Sequence, residues 1–508
     1  MRLSCLRSFT FRRSELILVT SGRLVFKAAA LKGGFMILAL ECSTTSAKAM
    51  LFDPQSMEAV RVKSRAYPRQ AASFGGVPGA QDTLSVIALA ASLGKEVADG
   101  ADVQALALGG TFHSLLLCSR DGVPLTPTFT WMYGGAQGLA ARLRRDARYT
   151  LDYYQRTGCM VHALYPAFQL MQLRDEGFDF SKGRVFSQGG FLFYTLTGSH
   201  LETASTNSGG GLINIHEKTW DSQTLAEIGL PAGSQAPLAT YLDSRPLSPA
   251  GAALLGLKSG IPVLPSYPDG ALNQVGSGAL DWGVMTFSMG TSAAIRLSVP
   301  SARLSQRPGT WCYLSPAAWL SGAATSGACN CVDWAKGLLF PAQSFADLEG
   351  MEADYEDMPH FLPFLFGERC PGWDDGKKGG FYGLSARHSP ASMYFSVLEG
   401  VLFNVFQCYE ILCAANTPPK KIKLSGGILH SPRWQQMCAD IFGREISCEA
   451  VPHASLVGAA VLALEHTGRL GSIRDYRVKE GRPLKPDEKN AHLFARRYKG
   501  YLAHYAGG

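Results

Sequence analysis

An acid set beside a glycine, Pro268-Asp269-Gly270, precedes a glycine-hydroxyl corner, Gly290-Thr291-Ser292, in the same stretch of chain. The two do complementary chemistry. A carboxylate held where the chain turns sharply is a candidate general base. A glycine followed by two hydroxyl residues lets the backbone approach a ligand and offers an amide and two hydroxyls to phosphate oxygens. On these residues alone, a turn-forming aspartate and an ordinary polar turn stay open. The flanks say more: Val284 to Met289 and Ala293 to Val299 are short apolar runs bounded by Gly283 and Gly290, which predicts two strands and a hairpin.

The pattern occurs twice. Residues 36 to 53, MILALECSTTSAKAMLFD, again give an apolar run, a hydroxyl-rich corner and a second apolar run, with Thr45-Ser46-Ala47 falling on Thr291-Ser292-Ala293. A duplication separated by about half the chain predicts two related halves, each opening on a phosphate-sized hairpin, facing each other across a cleft.

These elements need a large frame. At 508 residues the chain is too long for one core and suits two domains. A hydrophobic content of 46% with 18% charged residues describes a globular α/β protein and excludes disordered or collagen-like classes. The net charge of +7 is local: residues 1 to 35 hold +6 of it and the rest +1, so nothing in the body points to nucleic acid. Three readings fit the basic leader, namely a transit peptide, a tail, or a start codon called too early. The last is favoured because Met36 begins the first strand and Lys32-Gly33-Gly34 is what a purine-rich ribosome-binding sequence would spell. No apolar run reaches about 18 residues, so no membrane span is expected. The 12 Cys include no CxxC pair and the 11 His are scattered, which predicts free thiols in a reducing cytoplasm and no Cys or His metal site.

Along the chain, Leu84 to Val97 has helical spacing and Gln104 to Leu108 reads as a strand ending at Gly109-Gly110. Leu115 to Cys118 and Thr128 to Trp131 read as strands around Asp121-Gly122, placing Thr111, Phe112 and His113 at a strand edge. His113 there either binds a substrate hydroxyl or is structural. Tyr154 to Tyr165 reads as a loop, followed by a helix that Pro166 starts and Gly177 ends and by a second helical run, Phe186 to Thr197, stopped at Gly198. The stripe Leu398, Val401, Val405, Tyr409 and Leu412 is assigned to core. Ser431-Pro432 reads as a helix cap and first position, with Gly443 past the end. Ala454 to Leu464, small-residue rich around Gly458, reads as a helix packed closely on a neighbour.

Together the two hairpins, the acid-glycine pair, the His and Gly426-Gly427 resemble the FGGY family of carbohydrate kinases, from about Met36 to about Gly468. RTGCMVHALYPAFQLMQLRDEG, FLFYTLTG, GERCPGWDDGKKGGFYGL and SGGILHSPRWQQMCADIFG are more similar to the family's gluconate kinases than to its glycerol or xylulose kinases. The resemblance implies two ribonuclease-H-like, actin-like ATPase domains of α/β type with the active site in the interdomain cleft: residues 36–275 on the sugar side and 276–508 on the nucleotide side, after the leader 1–35. It implies ATP and Mg2+ as cofactors and Asp269 as the base that takes the proton from the attacking sugar hydroxyl. It places Thr44, Thr45, Ser46, Lys48, Gly290, Thr291 and Ser292 at the phosphates, and Gly426, Gly427 and Ser431 at the nucleoside. It places His113, Ser114, Trp131 and Asp269 at the sugar, and Glu41 near the metal. The expected partner is a small sugar or sugar acid, with no nucleic acid, no membrane, a cytoplasmic location and a homodimer as candidate assembly.

Three departures stand out. Glu41 replaces the family's Asp and Ser43 its glycine; Met132-Tyr133-Gly134-Gly135 follows Trp131 where Ala-Asp-Asn-Arg is usual; and Phe112 replaces a Met. They keep alternatives open: a kinase for a ketopentose or polyol, or a non-catalytic sugar or nucleotide sensor of the same fold.

Overall fold

The computed structural model describes residues 34–352, 354–448 and 451–507; the basic leader, except for its last two residues, lies outside them. Two seven-stranded sheets organise the described residues. The first runs Arg245–Pro246, Pro262–Val263, Val103–Gly110, Met36–Cys42, Ser46–Asp53, Glu58–Ala66, with Tyr267–Pro268 also on Val103–Gly110. The second runs Trp311–Leu314, Trp319–Thr325, Ala293–Val299, Val284–Met289, Lys421–Gly426, Ile446–Cys448, Arg482–Leu484.

The duplication seen in the sequence is a duplication of topology. In each sheet the first strand of a hairpin pairs antiparallel with its hairpin partner and parallel with a later strand, Val103–Gly110 in one half and Lys421–Gly426 in the other. The hairpins close at equivalent pairs, Cys42 with Ala47 and Met289 with Ala293, so the first corner is one residue longer. Met36–Cys42 is buried along its whole length, as a central strand covered on both faces must be. The helix Thr83–Ala98 packs on one face.

The other face is covered by a helix from the far end of the chain. Ala454–His466 packs on the first sheet and on the helix Asp269–Gly276, sharing a core with Ile37, Ala39, Ala105 and Leu272. The two helices cross at glycines. A Cβ on Gly458 would stand 1.9 Å from the Leu272 carbonyl oxygen, and one on Gly276 would stand 1.9 Å from that of Ala454, so a side chain at either position forces the two helices apart.

Local departures have local causes. Tyr154 to Thr157, expected in a loop, closes the helix Ala147–Thr157, because Asp146 caps it by accepting from Arg148 and Tyr149 N–H and only Gly158, at φ 69°, ends it. Phe186 belongs to the strand Gly183–Phe186, and Ser187 caps a helix that starts at Gln188. The expected strand at Thr128 to Trp131 shortens to Thr128–Phe129, and Leu116–Ser119 pairs with Gly183–Phe186. Among the described residues one helix, Pro390–Ala415, is long and apolar enough to cross a membrane, and most of it is buried inside the protein as core.

Candidate active site

The first hairpin brings together an acid and a base. Glu41 and Lys48 are cross-strand partners, Nζ stands 2.7 Å from Oε1, and Glu41 is 1% exposed. Burial alone would depress the ammonium, but Glu41 outweighs it and holds the Lys48 pKa above its ordinary value. The other carboxylate oxygen, Oε2, is buried without a hydrogen-bond partner. At the corner, the Thr44 hydroxyl accepts from Trp131 Nε1 at 3.0 Å and its carbonyl accepts from Gln81 Nε2 at 2.6 Å. Thr45 is exposed, and the Ser46 hydroxyl pairs with that of Ser43 at 3.1 Å.

Asp269 enters from the side. Tyr267 and Pro268 pair with Gly109 and Gly110, Glu41 pairs with Gly109 from the opposite edge of the same strand, and Asp269 emerges within electrostatic reach of Glu41. It is the first residue of the helix Asp269–Gly276 rather than part of a free turn, and its Oδ1 accepts the Gly270 N–H at 2.7 Å. Burial first, and then the charge of Glu41, raise its pKa; Arg296, the Gly270 N–H and Lys48 oppose them. A carboxylate so poised takes a proton more readily than an ordinary aspartate.

In front of Asp269 lies a cavity of about 150 Å³ shared by both halves: His113 and Trp131 on one side, Ser292, Arg296 and Arg369 on the other. His113 has φ 59°, a left-handed backbone for a residue with a Cβ, and its Nδ1 is hydrogen-bonded to the Gly209 carbonyl. A carbonyl only accepts, so Nδ1 carries the proton and Nε2 is left as an acceptor. Burial, assisted by Arg369, lowers the His113 pKa to about 3 and keeps the ring neutral.

Ser114 departs from expectation. Its hydroxyl donates to the Thr111 carbonyl at 3.0 Å and accepts from Gln188 N–H at 3.0 Å, which commits it to the start of a helix and away from the cavity. Two arginines that local pattern reading missed take its place. Arg296 is the one charged residue in the mainly apolar strand Ala293–Val299, a signal visible in the sequence. Arg369 sits in a loop held by its neighbour Glu368, which accepts from the Tyr505 hydroxyl at 2.7 Å and pairs with Lys377 at 3.4 Å. The same loop reaches the first half: His162 Nε2 meets Asp375 at 3.0 Å, and Arg144 donates to the Trp373 carbonyl.

The second corner, with Gly290 and Thr291 exposed, is tied to the start of the helix Cys329–Leu339 by the Cys329 N–H on the Gly290 carbonyl at 3.0 Å. Beyond it opens a second cavity of about 290 Å³, walled by Phe345, Tyr394 and Leu398, with Gly427 and Ser431 on its edge. Ser431 caps the helix Pro432–Phe442 through Trp434 N–H and also bonds Glu349. Gly426 is glycine for another reason: at φ 93° a Cβ would stand 2.2 Å from the Met289 carbonyl oxygen of the adjacent strand. Its side-chain space is closed by the protein's own backbone, and it does not line the cavity.

Among the described residues no group of three or more His, Cys, Asp or Glu could cage a metal. The unpartnered Glu41 Oε2 nevertheless fits a divalent ion brought with a nucleotide, as the acceptor for one of its bound waters. Glu41 and Asp269 are the carboxylates that such an ion would meet here.

The FGGY family of carbohydrate kinases, N-terminal domain, matches residues 36–276, and the FGGY family of carbohydrate kinases, C-terminal domain, matches residues 285–465. A gluconokinase of Bacillus subtilis (strain 168) is 24% identical over 457 residues, 86% of this chain and 88% of that protein. A xylulose kinase of Escherichia coli (strain K12) is 28% identical over 357 residues, 68% of this chain and 72% of that protein. The crystal structure of gluconate kinase from Lactobacillus acidophilus superposes with a TM-score of 0.88 at 24% identity, covering 93% of this chain and 98% of that one.

Proposed function

Since the chain belongs to the FGGY family of carbohydrate kinases, and is a phosphotransferase acting on a small carbohydrate, we propose that it moves the γ-phosphoryl group of ATP to a hydroxyl of a gluconate-like sugar acid. The observation that carries this reading is Asp269, a carboxylate with a raised pKa facing a small cavity lined from both halves.

The acceptor occupies the cavity with the reacting hydroxyl at Asp269, and His113 Nε2 accepts a hydrogen bond from a second hydroxyl. Trp131 forms a flat wall, fixed by its hydrogen bond to Thr44. Asp269 takes the hydroxyl proton as the oxygen forms its bond to phosphorus and the bond to the ADP oxygen breaks. Lys48, the Thr44 to Ser46 corner and the Gly290 to Ser292 corner stabilise charge on the phosphate oxygens from opposite sides. Gly427 and Ser431 border the nucleoside cavity. Magnesium bound with ATP would neutralise charge on the phosphates, and Glu41, through its unpartnered Oε2, is the residue that would hold it. Closure of the two halves excludes bulk water, which would otherwise compete as acceptor. The cytoplasmic location and homodimer belong to this proposal, the dimer checked by light scattering.

A ketopentose is the second reading, supported by the likeness to a xylulose kinase. A coupled ADP-release assay over sugar acids, ketoses and polyols separates them. Turnover highest with a sugar acid supports the first reading and turnover highest with a ketopentose the second. ATP binding without ADP release on any sugar contradicts both.

A further inference from the structure

Two guanidinium groups line the sugar cavity, and neither has an acid in ion-pair contact among the described residues. Arg296 donates from Nη1 to the Ser288 hydroxyl at 3.1 Å, and its Nε is buried with no partner. Arg369 stands 5.5 Å from the ring centre of Trp131, and its Nε is likewise buried and unpartnered. Donors left in this state cost free energy until a ligand meets them.

The charges say what that ligand is. The cavity is lined by two cations and one acid, Asp269, while His113 is neutral, so the wall carries one net positive charge. A neutral ketose or polyol leaves that charge uncompensated. A single carboxylate cancels it, and its two oxygens match the planar fork of a guanidinium. The volume of about 150 Å³ lies well under the roughly 300 Å³ at which drug-sized pockets begin, which restricts the occupant to one short sugar chain. A phosphate-binding role for the pair fits less well. Lys48 does not line this cavity, whereas Arg369 stands with the sugar-side rings His113 and Trp131.

Resting on the kinase reading above, we propose that Arg296 and Arg369 bind the carboxylate of the acceptor, making the substrate a monocarboxylic sugar acid whose reacting hydroxyl lies at Asp269. The pair thereby determines specificity against neutral sugars of the same length.

The test compares gluconate with glucitol, which carries a hydroxymethyl group where gluconate has its carboxylate. In the wild-type enzyme kcat/KM is expected to favour gluconate by at least ~100-fold, the scale on which a site built around a polar group rejects an analogue lacking it. In Arg296→Gln and Arg369→Gln that ratio falls by at least ~30-fold, chiefly through KM for gluconate, and Arg369→Lys recovers part of it. A wild-type ratio near one, or a ratio unchanged in both glutamine variants, overturns the proposal and leaves the kinase standing if glucitol or a ketose is turned over. Absence of ADP release on every sugar overturns both. If the glutamine variants fail to fold, calorimetric titration of the wild-type protein decides: gluconate binding at least ~30-fold tighter than glucitol supports the clamp, and equal binding overturns it.

Discussion

Replacing Gly458 by alanine tests whether a helix crossing sets the position of Asp269, the proposed base. The added Cβ would stand 1.9 Å from the Leu272 carbonyl oxygen and 3.1 Å from Gly276 N, while real Cβ atoms do not approach closer than 3.0 Å. The atoms in the way are backbone, so the two helices must part by about 1 Å. In stability overpacking outweighs propensity: alanine favours the helix by about 1 kcal/mol over glycine and overpacking costs about 1–3 kcal/mol, a net loss of up to about 2 kcal/mol. In activity nothing offsets. Asp269 begins the helix that Leu272 belongs to, and a shift of ~1 Å at a reacting group costs on the order of 100-fold in rate. Gly458→Ala is therefore expected to lose about 100-fold in kcat while its thermal midpoint moves by only a few degrees. Gly337→Ala is the control, since its Cβ would meet nothing within 4 Å; it should gain up to about 1 kcal/mol and keep its turnover. Wild-type kcat in Gly458→Ala, or an equal loss in Gly337→Ala, refutes the argument.

Lys48→Met leaves Glu41 buried without its cation. Breaking such a pair costs about 3–5 kcal/mol, and the lower end applies because the Lys48 side chain is 28% exposed. Adding Glu41→Gln should restore the urea midpoint but not the turnover; a single variant as stable as wild type contradicts the pairing. His113 is held at about 3 against an ordinary 6.5, so between these values the unfolded chain binds a proton that the folded one refuses. This contribution is complete above pH 6.5 and is lost as pH falls toward 3, at about 1.4 kcal/mol per unit. His113→Asn should flatten the acid side of the stability profile, and identical slopes count against the assignment.

What was legible in the sequence was local. The second hairpin was read to its terminal residues, because Val284–Met289 and Ala293–Val299 are mainly apolar runs, the first bounded by Gly283 and Gly290 and the second by Ser292 and Pro300. Ser431, Pro432 and Gly443 likewise mark their helix by cap chemistry that acts within one turn. The misses are long-range. Arg369 reaches the cavity from a loop whose Glu368 is held by Tyr505, far along the chain, and no local spacing encodes that. Ala454–His466 reads correctly as a closely packed helix, yet that it lies on the first sheet depends on its fit to Gly276. Ser114 follows His113 in sequence but turns its hydroxyl to the N–H of Gln188, the first residue of a helix far along the chain.

The central claim is that Asp269 is the base of phosphoryl transfer. Its most direct test is the turnover of Asp269→Asn with the preferred sugar at saturating ATP, alongside ATP affinity. The account predicts a fall in kcat of about 100- to 10,000-fold, the usual worth of a general base, with ATP affinity within about 2-fold of wild type. Turnover retained in Asp269→Asn would place the base elsewhere and contradict the account.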